Sequence, residues 1–171
     1  IKQLITKAEN AIFTVFAADE QGNTFSQGSG FFISAQGVGI TNYHVLDGAH
    51  SGYIKDKNGN KYKIKSILDY NPNTDLVKFQ VENTNLKSFN YLHISYRTQV
   101  KGEQIINISS PLGLEQTVST GIISSIRTDE MHGSILQITA PISHGSSGSP
   151  VMDMKGNVVG IATFCREGGQ S

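Results

Sequence analysis

The chain has 171 residues, 37% of them apolar and 16% charged, with Lys+Arg and Asp+Glu balanced at 14 each. It is long enough for one core or two small packed halves and too apolar for disorder, and its even charge gives no global attraction to nucleic acid or an anionic membrane. No apolar run approaches the about 18 residues that a bilayer-spanning helix needs.

In chain order, "IKQLITKAEN" spaces Ile1, Leu4, Ile5 and Ala8 as one short amphipathic helix. Helical periodicity then stops. Short apolar or alternating runs follow at 11–18, 29–34, 38–42, 61–68 and 76–81, and again at 103–109, 116–126, 134–139, 150–154 and 158–164. Turn chemistry separates them. "KNGN" (57–60) places Asn-Gly between two strands, the strongest short hairpin signal, and "KGN" (155–157) marks a second tight turn. About a dozen strands at roughly ten-residue spacing predict an all-β sandwich or barrel. The polar, poorly periodic stretch 83–98 reads as the connection between two β halves. "DKNGN" (56–60) is loosely like a calcium loop, but Ile67 stands where such a loop needs its bidentate Glu.

Cys165 is the only cysteine, so no internal disulfide and no cysteine-based metal cluster can form. One lone cysteine fits a bacterial or intracellular protein better than a vertebrate secreted one. Its simplest reading is a small residue beside the last strand. The sequence starts at Ile1 with no Met and no signal-peptide pattern, which reads as a processed or trimmed product.

The residues that bear chemistry lie at strand ends. His44 directly follows the apolar run 38–42, where it is either a polar surface residue or a base. Asp75 follows the turn "NPNT" and opens "LVKFQV", where it either caps nearby amides or orients a partner. "HGSSGSP" (144–150) sets Ser146, Ser147 and Ser149 among glycines between two predicted strands. A serine hydroxyl needs an adjacent general base, and an acyl-transfer site needs two N–H groups converging on the developing oxyanion. Gly145 can turn its amide inward, which makes Ser147, two residues on, the serine whose own N–H would join it. The order His, Asp, Ser is the chymotrypsin-type order, and the loop lacks the strand-to-helix elbow of the α/β-hydrolases.

Five segments carry a resemblance over nearly the whole chain: "GSGFFIS" (28–34), "GITNYHV" (39–45), "NTDLVKF" (73–79), "GSSGSPV" (145–151) and "GNVVGIATF" (156–164). In order, they resemble a trypsin-like (chymotrypsin-fold) serine protease domain, nearest the bacterial HtrA/Deg type. The resemblance implies an all-β fold of two six-stranded antiparallel barrels with a short N-terminal helix. The N-terminal barrel is expected at about 11–82, the connection at about 83–100 and the C-terminal barrel at about 101–165. It implies His44 as general base and acid, Asp75 as its orienter and Ser147 as nucleophile, with the amides of Gly145 and Ser147 as the oxyanion hole.

Departures from the family refine these expectations. Ser146 occupies the position of the Asp that pairs with a freed N-terminus in digestive trypsins, so Ile1 is not expected to be an activation terminus. The oxyanion loop must be held by other loops or by an oligomeric neighbour. Pro141 replaces the acid at the pocket base. With Ile142, Ile161 and Ala162 around it, the substrate pocket is expected to be apolar and shallow, favouring small or aliphatic residues before the cut. Glutamate preference, through His144, ranks second. After "VVGIATF" only "CREGGQS" remains, where the family adds a strand and a helix, so a longer natural protein with a further domain is expected. No cofactor and no metal are implied. The expected partners are polypeptide substrates, with no nucleic acid and no membrane span, and the family setting is the bacterial cell envelope or outside the cell. The rival reading is a catalytically latent or inactive trypsin-like fold that binds proteins.

Overall fold

A computed structural model describes residues 1–110 and 116–164. Cys165 lies outside the described residues. The elements are α1 (Lys2–Glu9), β1 (Ile12–Ala18), β2 (Thr24–Phe32), β3 (Val38–Asn42), α2 (Tyr43–Leu46), β4 (Ser51–Asp56), β5 (Lys61–Asn71), β6 (Leu76–Val81), β7 (Gln104–Ser109), β8 (Thr117–Asp129), β9 (Gly133–Ile138), β10 (Pro150–Met152) and β11 (Val158–Ile161). Every described strand pairing is antiparallel. The first six strands close a barrel in the order β1-β2-β3-β6-β5-β4. The other five form a sheet in the order β11-β10-β7-β8-β9. The fold is chymotrypsin-like, but among the described residues the second unit is a five-stranded half-barrel where a closed six-stranded one was expected.

The strands depart from their sequence signal most at β2 and β4. β2 begins at Thr24, ahead of the apolar run at 29–34, because Thr24–Gln27 carries one apolar residue, the exposed Phe25, and is at least partly exposed while pairing with β1. β4 buries only Gly52 and Ile54, too few for an apolar run. Its turn chemistry finds it instead. Asp56 Oδ1 accepts the N–H groups of Asn58 and Asn60, and Asp56 N–H donates to the Asn60 carbonyl at 3.0 Å, which closes the "KNGN" hairpin. The acid that suggested a calcium loop is occupied by turn amides.

Three apolar clusters hold the molecule. Phe13, Val15, Phe32, Val45, Ile54, Phe79, Val81 and Phe89 fill the first barrel. Phe13 meets Phe32 edge-on at 4.7 Å between ring centroids, a geometry that adds to area burial. Ile105, Ile123, Ala140, Val151 and Ala162 form the core of the half-barrel. The third cluster joins the two units. Ala8 from α1 packs with Ile12, Phe31 and Ile40 of the barrel and Ile106, Ile108, Met152 and Val158 of the half-barrel. Leu4 and Ile5 extend it, so the apolar stripe of α1 seals one end of the joint.

No strand runs between Val81 and Gln104 apart from a single parallel bridge, Ile94 to Val158. This stretch is held by Arg97. Its guanidinium forks onto Glu103 (2.9 and 2.8 Å) and reaches the 4% exposed Asp153 at 3.2 Å. Asp153 Oδ1 also accepts the N–H groups of Lys155 and Asn157, so one clamp joins the connection, β7 and the β10–β11 turn. The hydrogen bonds from Arg97 hold the Glu103 carboxyl below its ordinary range, with the Val100 N–H adding to the effect. A carboxylate depressed in the folded state contributes stability above its unfolded pKa and loses it as pH falls through the folded value. Glu103→Gln is therefore expected to lower Tm at neutral pH. The gap to wild type should close as pH falls below about 4. Thermal melts of both proteins across that range check it.

Candidate active site

β3 and β6 are neighbours with Asn42 opposite Leu76. That register sets the residues just after β3 against the residue just before β6, so His44, in the single turn of α2, faces Asp75. The contact is double. His44 N–H donates to Asp75 Oδ1 at 2.8 Å, and His44 Nδ1 lies 2.7 Å from Oδ2. Asp75 has φ +59°, in the left-handed region that a non-glycine residue enters only where its surroundings enforce it. Here the surroundings are its own carbonyl's partners: Tyr43 N–H donates to it at 3.0 Å and Asn42 Nδ2 at 2.9 Å. The side chain of Asp75 is 21% exposed and that of His44 44%, so the carboxylate is sheltered and the imidazole opens to the cleft.

The serine-rich loop follows β9 and leads into β10. His144–Ser146 forms one 3-10 turn, with Ser143 and Ser146 capping each other reciprocally. The three serines are separated by their partners. Ser146 Oγ accepts Ser143 N–H at 3.3 Å and pairs with Ser143 Oγ at 3.2 Å. Ser149 Oγ donates to the Ser146 carbonyl at 2.6 Å and accepts from Asn107 Nδ2 at 2.9 Å. Ser147 Oγ accepts the Phe164 N–H at 3.1 Å. Only the Ser147 hydroxyl is free of its own loop, though the residue is 2% exposed. Among the described residues no hydrogen bond joins it to His44.

Backbone geometry at Gly145 and Ser147 bears on the oxyanion. In a 3-10 turn each N–H points back to the carbonyl three residues earlier. The Ser146 N–H makes that bond here, donating to the Ser143 carbonyl at 2.9 Å. The His144 ring itself is exposed and stands edge-on to Phe164 at 5.8 Å.

The four pocket residues divide. Ala162 is in the half-barrel core and Ile142 packs against it. Ile161, the neighbour of Ala162, points the other way and packs on the cluster between the units, as successive residues of a strand must. Pro141 is exposed beside Ile142.

Sequence reasoning passed over Ser29, Asn42 and Phe164. Asn42 is fully buried and donates to both the Asp75 carbonyl and Thr163 Oγ1 (3.2 Å). An Asn inside an otherwise apolar strand was its signal, because a buried amide needs partners. Phe164 reaches Ser147 through its backbone N–H, and nothing in the residue type announces that.

The model of the trypsin-like peptidase domain matches residues 28–161. A DegP-like periplasmic serine endoprotease of Chlamydia muridarum is 33% identical over 141 residues, 80% of this chain and 28% of that protein. A protein of Synechocystis named as a serine protease, HhoB, is 35% identical over 159 residues, 88% of this chain and 36% of that protein. The anti-sigma-I factor RsgI9 of Acetivibrio thermocellus is 35% identical over 157 residues, 90% of this chain and 21% of that protein. The chain thus spans about a third or less of these relatives. The crystal structure of a serine endoprotease from Yersinia pestis superposes with a TM-score of 0.79 at 28% identity, covering 94% of this chain and 56% of that one.

Proposed function

The chain belongs to the trypsin-like peptidase family, a family of serine protease hydrolases, and on that footing we propose that it is a serine endopeptidase worked by His44, Asp75 and Ser147. The doubly bonded His44–Asp75 pair carries the reading. With Nδ1–H donated to Asp75, the His44 ring presents Nε2 as the base. Ser147 Oγ attacks the scissile carbonyl while Nε2 takes its proton. The N–H groups of Gly145 and Ser147 hold the oxyanion, one such donor being worth about 3–4 kcal/mol. His44 then protonates the leaving amine, and water hydrolyses the acyl-enzyme by the same steps in reverse.

A second reading, latency at rest, is favoured by one observation: Ser147 Oγ is engaged by Phe164 N–H and not by His44. In that reading Ser147 Oγ must exchange its Phe164 partner for His44 before it can acylate. A fluorophosphonate probe tests both. Labelling of wild type that vanishes in Ser147→Ala supports the peptidase. Slow labelling that a bound peptide accelerates adds latency, and labelling that survives Ser147→Ala removes Ser147 as the nucleophile.

In this reading Ile142 and Ala162, which pack together at the half-barrel core, border the substrate residue before the cut, while Ile161 packs on the cluster between the units. Apolar walls and no fixed charge favour a small or aliphatic residue there. Peptides differing only in Val, Ala or Glu at that position are expected to give kcat/KM for Val or Ala about tenfold or more above Glu, from the cost of leaving a carboxylate unpaired. Faster cleavage after Glu would shift the assignment to recognition by His144. The substrates proposed are polypeptides. A bacterial envelope location rests on relatives named as periplasmic, and an oligomer or a further domain is proposed on the family resemblance. Fractionation and sizing of the full-length protein test those points.

A further inference from the structure

The segment "GSG" (28–30) lies in β2, away from His44 and Asp75 in sequence, and the chemistry above makes no use of it. Its serine is nevertheless tied to the nucleophile loop twice. Ser29 N–H donates to the Ser147 carbonyl at 2.7 Å, and Ser29 Oγ donates to the Gly145 carbonyl at 2.9 Å. The same Oγ accepts Ser110 N–H at 2.9 Å from the end of β7. Ser110 in turn meets Thr14 of β1, whose Oγ1 lies 2.7 Å from Ser110 Oγ and 3.1 Å from its carbonyl. Ser29 is fully buried, and Thr14 and Ser110 are 2% and 5% exposed. The flanking glycines permit the approach. A Cβ on Gly28 would stand 2.9 Å from the Ser147 carbonyl oxygen, and one on Gly30 2.5 Å from the Phe13 ring.

We propose that Ser29 is a positioning residue of the active site: its buried hydroxyl, itself oriented by Ser110 N–H, holds the Gly145 carbonyl and so fixes the peptide plane that joins the two planes carrying the oxyanion donors. The proposal rests on the endopeptidase reading above. Its logic is local. The Gly145 N–H belongs to the peptide plane before the Gly145–Ser146 plane, and the Ser147 N–H belongs to the plane after it. Ser29 Oγ fixes the carbonyl of the middle plane, and Ser29 N–H fixes the carbonyl that follows Ser147. The His144–Gly145 plane, which carries the first donor, adjoins this fixed plane at the Gly145 Cα. An alanine at 29 keeps the backbone bond and removes the hydroxyl. That leaves the middle plane held only through the Ser146 N–H, bonded to the Ser143 carbonyl at 2.9 Å, and leaves the Gly145 carbonyl and the Ser110 N–H without their buried partner.

The experiment compares wild type, Ser29→Ala, Thr14→Val and Ser147→Ala. It reads fluorophosphonate acylation rate, kcat and KM on one peptide, and Tm. Thr14→Val removes the far end of the same network and is the control for loss of stability alone. The expected result is a fall of about tenfold or more in acylation rate and kcat for Ser29→Ala, the scale of one buried hydrogen bond and its orphaned partners. KM should change little, because the pocket walls are elsewhere. Thr14→Val should lower Tm as much as Ser29→Ala while acylating at the wild-type rate. Wild-type acylation by Ser29→Ala overturns the proposal, and so does a rate loss in Thr14→Val that matches its own. If wild type is not labelled, or Ser147→Ala still is, the endopeptidase reading fails and takes this inference with it. Where labelling is confined to Ser147, the rate of Ser29→Ala against Thr14→Val decides the positioning role by itself.

Discussion

Asp75→Asn is expected to cut kcat about 10⁴-fold while the protein stays folded, the scale known for loss of the orienting acid in a triad. The geometry explains why so small a change costs so much. Asp75 uses one oxygen for the His44 N–H and the other for Nδ1. In the Asn variant the backbone N–H still requires an acceptor, so the amide carbonyl takes that place and the NH2 group turns to Nδ1. A donor facing Nδ1 forces the ring proton onto Nε2, the atom that accepts the proton of Ser147 in the proposed mechanism. The base is then in the wrong tautomer as well as without its counter-charge. Stability should hold, because Asn tolerates the left-handed backbone at this position as well as Asp does. The measurement is kcat against pH, with Tm as the control. A loss of under tenfold would show that Asp75 does not orient the base.

Gly148→Ala is expected to destroy activity through the backbone and to destabilise the protein by more than about 3 kcal/mol. Gly148 has φ +93°, a conformation that strains any L side chain. Space is the larger obstacle. A Cβ there would fall on the carbonyl oxygen of Ser29 and against Thr41 Oγ1, both held by the 2.7 Å bond between them. Neither is the tip of a flexible side chain that could move aside. The loop would have to lift off β2, taking the Ser147 carbonyl away from Ser29 N–H and Gly148 N–H away from the Ala162 carbonyl. Chemical denaturation together with phosphonate labelling checks this. A variant that melts and labels like wild type would mean that the loop is far softer than its contacts imply.

The β content and the two-unit plan were legible because they depend on local signals: apolar runs, Asn-Gly and Lys-Gly-Asn turns, and a polar middle stretch. His44, Asp75 and Ser147 stood out for a related reason, since each sits where an apolar strand meets a turn and a buried-strand end must account for any polar group it carries. What did not show was direction. Ile161 and Ala162 are adjacent, yet only the pleat decides that one faces the joint between units and the other the half-barrel core. Nor could the residues tell that Ser147 Oγ would meet Phe164 N–H. That contact depends on β10 and β11 pairing, with Pro150 opposite Ile161, which brings the exit of β11 back over the loop. Ser29 belongs to a recognisable strand motif, but its role comes from Ser110 and Gly145, partners 81 and 116 residues away. Long-range pairing creates such groups, and a linear pattern has no register for them.

The bond from Phe164 to Ser147 also sets a scale for control. A neutral hydrogen bond of this kind is worth about 1 kcal/mol net, which is a factor of five or so in population. Held only by that bond, the hydroxyl would spend a measurable fraction of its time released. Such an enzyme idles rather than stops. In the latent reading every substrate would meet the same prior handicap, its apparent acylation rate scaled by the released fraction. Anything that draws the Phe164 amide away, including the main chain of a peptide lying along the exit of β11, lifts the handicap for the next molecule as well as for itself until the amide returns. The throttle would sit on a backbone N–H that, proline apart, no substitution removes.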